Sequence, residues 1–448
     1  MADNRQHNWR RRRSLLALLV ALSLVAASCG DDDDDEAANT EQEGEEAEPE
    51  PVTLRFSWWG SDSRHEYTQE LIDLYEAENP HVTIEPEFTE FEAYLDRLST
   101  NVAGGDAPDV IQMDARWLRE FANDGVLLEL DDYFGEELDT SQLDESMLPT
   151  GQVDDATYAI PTGANTFSMM TDPAVFDAAG VEVPDDEAWT WEDYADVAAQ
   201  ISDASPDGTY GAQDMGFNET SLEIYLRQNG QELFNEDGTD LDFDAELAEE
   251  WWQISLGMRD SGAEPSAAES VEIQNGSIDQ SLIATNRAGM ATYHSNQLAA
   301  LTAGAGRELV PLRWPSDEEG NTGMYLKATM YWSASAESDN PEEAVRFVDW
   351  LLNSQDAAEL LLSDRGVHIN TELREEISDQ LGPADATATE FVAEVTPDLE
   401  DPPPVPPVGA GEVQDIIQRI NEEVLFDRLS VEDAVQQFMD EARAAIGA

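Results

Sequence analysis

Three short stretches of this chain set flat aromatic rings beside carboxylates, amides or guanidinium forks. They are Trp58-Trp59-Gly60-Ser61-Asp62-Ser63-Arg64, Gln112-Met113-Asp114-Ala115-Arg116-Trp117 and Thr292-Tyr293-His294-Ser295-Asn296. Tyr331-Trp332 and Asn218-Glu219 are weaker versions of the same pairing. A sugar ring offers apolar C–H faces that suit aromatic rings, and hydroxyls that suit carboxylates, amides and guanidinium groups. The chemistry to expect is reversible capture of a hydroxylated ring. The candidate contacts are Trp58, Trp59, Ser61, Arg64, Asp114, Trp117, Asn218, Glu219, Tyr293, His294, Tyr331 and Trp332.

Each of these also has a structural reading. Neighbouring strand positions face opposite ways, so of Trp58 and Trp59 one is expected in the core and the other in a crevice. Trp117 opens an amphipathic helix and Asp114 can cap it. Arg64 and Arg116 can pair with surplus acids, and His294 can be a satisfied structural histidine. Trp189, Trp191, Trp251, Trp252 and Trp350 sit in helical or helix-start patterns and are assigned to packing.

Reaction chemistry has no comparable signature. No HExxH, GxSxG, CxxC or Walker loop occurs, so no catalytic residue, metal ligand or cofactor is assigned. Outside the leader the histidines His65, His81, His294 and His368 are scattered. The acidic run from Asp237 to Asp244 lacks the sixth-position glycine and distal glutamate of a calcium loop. The paired carboxylates of a glycosidase cannot be told apart from the general acidity.

The elements that would position the candidates alternate. Leu54-Arg55-Phe56-Ser57-Trp58-Trp59 reads as a strand ending at Gly60, with Phe56 inward and its neighbours wetter. Residues 66–78 place Tyr67, Leu71, Leu74 and Tyr75 on one helical face, and Asn79-Pro80 ends it. A strand at 82–84, a helix over 91–102 and a strand at 110–113 follow. Strand alternating with helix predicts a parallel α/β sheet, whose ligands gather at the carboxyl ends of the strands.

The 448 residues carry 98 Asp and Glu against 22 Lys and Arg, a formal charge of -76, and Lys327 is the only lysine. Such a field repels nucleic acid and points to a salt-adapted protein, because the screening length falls to roughly 3 Å at ~1 M salt. At the amino end, four arginines precede an apolar run over residues 15–27, too short to span a bilayer, in the layout of a signal peptide. Arg12-Arg13 resembles a twin-arginine export signal. Ala26-Ala27-Ser28-Cys29 resembles a lipobox with the usual leucine missing, so Cys29, the only cysteine, is the expected lipidation site. Residues 30–51 are acidic or small and read as a disordered tether.

From the Trp58-Trp59 strand onward, nearly all of the chain after residue 52 resembles a known family. Ala107-Pro108-Asp109-Val110, Asn123-Asp124-Gly125-Val126-Leu127, Tyr158-Ala159-Ile160-Pro161, Asp172-Pro173-Ala174-Val175-Phe176, Thr190-Trp191-Glu192-Asp193-Tyr194, Arg287-Ala288-Gly289-Met290-Ala291 and the helix from Asn340 follow one another as in the family 1 extracellular solute-binding proteins of ABC importers, the maltose-binding-protein-like group. The usual Gly-rich strand before that last helix is here Tyr325-Leu326-Lys327-Ala328-Thr329-Met330-Tyr331-Trp332, and the proline usual after Arg365-Gly366 is replaced by Val367. The resemblance implies a two-lobed type II periplasmic-binding-protein fold, with a cleft between α/β lobes and three hinge crossings, near 161–165, 309–314 and 352–354. The implied division is 1–29 leader, 30–51 tether, 52–163 plus 310–353 as one lobe, and 164–309 plus 354–448 as the other. It implies a monomeric, non-enzymatic protein outside the cytoplasmic membrane, anchored through Cys29, that delivers a sugar or oligosaccharide to ABC permease subunits. Alternatives are a polyamine or glycerol phosphate ester as solute, or a secreted glycosidase.

Overall fold

Val52–Trp59 decides the first half of the architecture. In the computed structural model, which describes residues 50–60, 62–318 and 320–448, this strand lies second in a five-stranded sheet. The order runs Val82–Thr89, Val52–Trp59, Val110–Met113, Tyr331–Ala334, Ile160–Pro161. The first three are mutually parallel and the last two antiparallel, so the sheet is mixed where alternation alone predicts parallel. The leader, Cys29, nearly all of the tether and Ser61 lie outside the described residues.

Helices cover both faces of this sheet. Asp62–Glu78 and Pro341–Asn353 supply Leu71, Tyr75, Phe347 and Val348, and Phe91–Ala103 supplies Tyr94 and Leu98. A central strand covered on both sides buries successive residues rather than alternate ones. From Phe56 to Trp59 every side chain is buried, and the expected wet face is confined to the strand's start.

A second sheet takes the order Val310–Leu312, Phe167–Thr171, Ala288–His294, Tyr210–Ala212. Its core is aromatic, with Trp191, Trp251, Trp252, Trp314 and Phe438 buried around it. The closing helices, Ala410–Leu425 and Val431–Ile446, pack here through Val413, Ile417, Phe438 and Met439.

Between the two sheets along the chain sits a small three-stranded sheet. Gly163–Asn165 is its centre, flanked antiparallel by Lys327–Ala328 and Val367–His368. It is packed so tightly that a Cβ on Gly163 would stand 2.5 Å from the Arg365 carbonyl oxygen. The chain first passes between the two large sheets after Ile160–Pro161 and enters the second at Phe167–Thr171. The second passage differs from expectation: Val310–Leu312 still pairs with Phe167–Thr171, and the chain regains the first sheet only at Tyr331–Ala334. Gln355–Leu361 also stays with the first sheet's helices, through Ala357 and Leu361.

Candidate functional site

The carboxyl ends of both large sheets open onto one cavity of about 320 Å³. From the first sheet come Trp59, at the end of its strand, and Asp114 and Arg116, just after Val110–Met113. From the second come His294, Asn296 and Gln297, just after Ala288–His294 begins to turn, and Asn218, Glu219 and Thr220 at the start of the helix Glu219–Gln228. Asn165, Lys327 and Thr329 enter from the small sheet, Phe91 from its helix, and Gln414 from the closing helix.

Local chemistry fixes these groups. Asp114 caps the helix Ala115–Asn123, accepting the Arg116 backbone N–H at 3.0 Å, and grips the same residue's guanidinium with both oxygens, at 2.9 and 3.1 Å. Burial pushes the Asp114 carboxyl up, but the guanidinium overrides it and holds the group below the usual carboxylate range. The Arg116 guanidinium lies over the neighbouring rings of Phe91 and Trp117, at 5.3 and 5.0 Å from their centroids, in cation–π contact with both. Asn218 caps its helix by accepting the Thr220 N–H at 2.9 Å. Gln414 accepts from the Glu219 backbone N–H at 3.1 Å and donates to the Phe217 carbonyl at 3.0 Å. Asn165 donates to Asn296 Oδ1 at 3.3 Å and to Thr329 Oγ1 at 3.2 Å, joining the small sheet to the turn Ser295–Gln297.

His294 is neutral here. Burial first, then the charges of Lys327 and Arg116, lower its pKa to about 3, and its Nδ1 is buried without a partner. A neutral imidazole, a locked carboxylate and five amides around an aromatic edge suit recognition of hydroxyls. Among the described residues no cluster of three His, Cys, Asp or Glu stands ready to hold a metal ion.

Of the candidates read from sequence, the structure gathers Trp59, Asp114, Asn218, Glu219 and His294 at this cavity. Tyr293 lines an adjoining chamber that shares Asn218, His294, Gln297 and Gln414 with it, its hydroxyl accepting from Gln213 at 3.1 Å. Tyr331 lines a narrower chamber on the other side, with Tyr325 and residues 402–406.

Four candidates are elsewhere. Trp58 is 0% exposed, wedged between Phe56 and Phe88 with its Nε1 donating to His65. Trp332 is equally buried, meeting the edge of Phe56 and the Arg365 guanidinium. Both point into the two-sided core that a first-strand pattern does not reveal. Trp117 backs Arg116 and abuts the closing helix, where a Cβ on Gly411 would lie 3.1 Å from its indole nitrogen. Arg64 is engaged by Asp364 at 2.8 Å and by Met330.

Sequence reading missed Phe91, Asn165, Gln297, Lys327, Thr329 and Gln414. Lys327 carried a usable signal in being the sole lysine. Gln414 carried none, since a glutamine on an amphipathic helix looks like any solvated residue.

Two α/β sheets presenting strand ends to one cavity, joined by a short hinge-like sheet, define a ligand-capturing protein of the periplasmic-binding type. The model of the bacterial extracellular solute-binding proteins matches residues 61–358. The chain belongs to this family. A Brucella abortus protein named only as a binding protein is 26% identical over 363 residues, spanning 78% of this chain and 82% of its own. Among solved structures, an oligogalacturonide-binding protein of Yersinia enterocolitica with digalacturonic acid superposes with a TM-score of 0.76, at 20% identity over 88% of this chain and 99% of that one. A substrate-binding protein of Listeria monocytogenes with cycloalternan gives 0.74, at 21% identity over 89% and 100%. The family is extracytoplasmic, and among the described residues no helix is long and apolar enough to cross a membrane.

Proposed function

We propose that this protein captures a sugar or oligosaccharide in the cavity between its two sheets and presents it to the permease of an ABC importer. The observation that carries this reading is the make-up of the cavity: the Trp59 edge, the Asp114–Arg116 fork and a ring of amides converge from both sheets and the small sheet between them. Two of the structural relatives are described with saccharides bound, which supports the same class. The lobes are then 52–163 with the later return at Tyr331, and the region from Phe167 to Leu312 with the closing helices, hinged at the small sheet. Ligand touching both lobes favours the closed form because only that form makes both sets of contacts. Cys29 is the proposed lipid anchor, with residues 30–51 as tether.

A polyamine fits less well, because Arg116 and Lys327 both enter the cavity. The test is a thermal-shift screen of the protein against neutral and uronic-acid oligosaccharides, since a ligand bound only by the native state raises the midpoint. A saccharide that raises it without being consumed supports the reading. No shift across the screen, or turnover of the sugar by stoichiometric protein, rejects it.

A further inference from the structure

Lys327 lies opposite Asn165 in the small antiparallel sheet, so the two side chains share a face, and both line the cavity. Lys327 also lines the narrower chamber beyond, which holds Tyr325 and Glu223. It thus lines two neighbouring spaces at once, as Arg116 and Glu219 also do.

Its bonding sets it apart. In this acidic chain the arginines find carboxylates: Arg55 meets Glu87, Arg227 meets Glu232, and Arg313 meets Glu394. Among the described residues the Lys327 ammonium donates no hydrogen bond and makes no ion pair within 4.0 Å. Its charge nonetheless acts on Asp114 from one sheet, His294 from the other, and Glu223 behind. An ammonium has three donors and no acceptor, and here no acceptor on the described residues takes any of the three. A cation so placed, in a chain with carboxylates to spare, is aimed at something that arrives.

Resting on the saccharide reading above, we propose that Lys327 is a ligand contact that sets selectivity, its ammonium donating to a ligand oxygen, either a ring hydroxyl or a uronate carboxylate. The competing role is a counter-charge for Asp114 and Glu223 with no part in recognition.

The lone lysine makes the test unusually clean. The full protein is treated with limiting sulfo-N-hydroxysuccinimide acetate, alone, with maltotriose and with digalacturonate, and acetylation of the Lys327 peptide is followed by mass spectrometry. A sugar that raises the wild-type melting midpoint should slow acetylation at Lys327 by about tenfold. Lys327→Gln should bind that sugar roughly 10- to 100-fold more weakly, the range of a charge-assisted hydrogen bond, with Lys327→Arg recovering part of the loss. Protection by digalacturonate alone identifies a carboxylate acceptor; protection by maltotriose identifies a hydroxyl. The inference is overturned, with the saccharide reading intact, if a sugar raises the midpoint yet leaves Lys327 acetylation unchanged and Lys327→Gln binds as wild type does. Failure of both sugars to raise the wild-type midpoint counts against the saccharide reading itself, and this inference falls with it.

Discussion

Trp58 and Trp59 are neighbours in sequence with different work. Trp58 is fully buried against Phe56, while Trp59, 7% exposed, packs on Phe91 and Tyr94 and turns one edge to the cavity. Replacing Trp58 by Ala should cost about 3–5 kcal/mol of stability, the range for a fully buried aromatic, and leave the affinity of the remaining folded protein unchanged. Urea unfolding beside calorimetric titration separates the two effects, and a loss of affinity at unchanged stability would return Trp58 to the site. Asp114 and His294 make a second prediction. With Asp114 held below the usual carboxylate range and His294 at about 3, neither changes charge between pH 5 and 8. Affinity for a neutral saccharide should therefore be flat across that window. A fall in affinity as pH drops through 6.5 would show His294 taking up a proton. Asp114→Asn keeps a capping side chain but releases the Arg116 fork, and should weaken binding by about 1–3 kcal/mol.

At the scale of elements, the long periodic segments were legible and the hinge was not. Residues 66–78 and 91–102 showed their inward faces, and the structure extends them only slightly, to Asp62–Glu78 and Phe91–Ala103. Gly163–Asn165, Lys327–Ala328 and Val367–His368 are two- and three-residue strands, too short for any period to register, and pairings between residues as far apart in sequence as Gly163 and His368 assemble them. The sequence places the candidates at strand ends, but side-chain direction is not legible where helices bury both faces, which is why Trp58 and Trp332 turn out to lie in the core. Beside the small sheet, Gly366 is a position sensitive to change. It has φ +92, where side chains are strained, and an added Cβ would meet Thr329 Oγ1 at 2.1 Å and the Ala164 oxygen at 2.9 Å. Gly366→Ala should destabilise by about 1–3 kcal/mol, read by urea unfolding. An unchanged midpoint would mean that the small sheet is not the constrained junction described.

Charge acts at the scale of the whole molecule, inside and out. In the second sheet's core, Glu264 is buried beside Asp214, and burial, then the Asp214 charge and the contact the two carboxyls share, push its pKa well above the usual range. A raised folded-state pKa means that the group's contribution is fully present below the unfolded value and is lost as pH rises toward the folded one. Glu264→Gln should match wild type near pH 4, then gain an advantage of up to about 1.4 kcal/mol per pH unit above it. Stability curves that stay parallel with pH would show Glu264 ionising alike in both states.

The outer surface poses the opposite balance. With 98 acidic against 22 basic side chains, like-charge repulsion dominates, and salt relieves it by shortening the screening length from about 10 Å at 0.1 M to about 3 Å at 1 M. Salt also weakens attractive pairs, but the exposed ones, such as Arg428 with Glu423 or Arg346 with Glu342, are each worth only about 0–1 kcal/mol. Partly buried pairs, such as Arg227 with Glu232, are screened less. Repulsion summed over the surface should therefore win, and the melting midpoint should rise steadily between 0.1 and about 2 M NaCl. Potassium chloride should act equally at equal ionic strength if screening is the cause, whereas sucrose, which stabilises by exclusion and not by screening, should not reproduce the charge-dependent part. A midpoint that falls with NaCl would mean that the arginine pairs outweigh the acidic surface, and would remove the case for a salt-adapted protein.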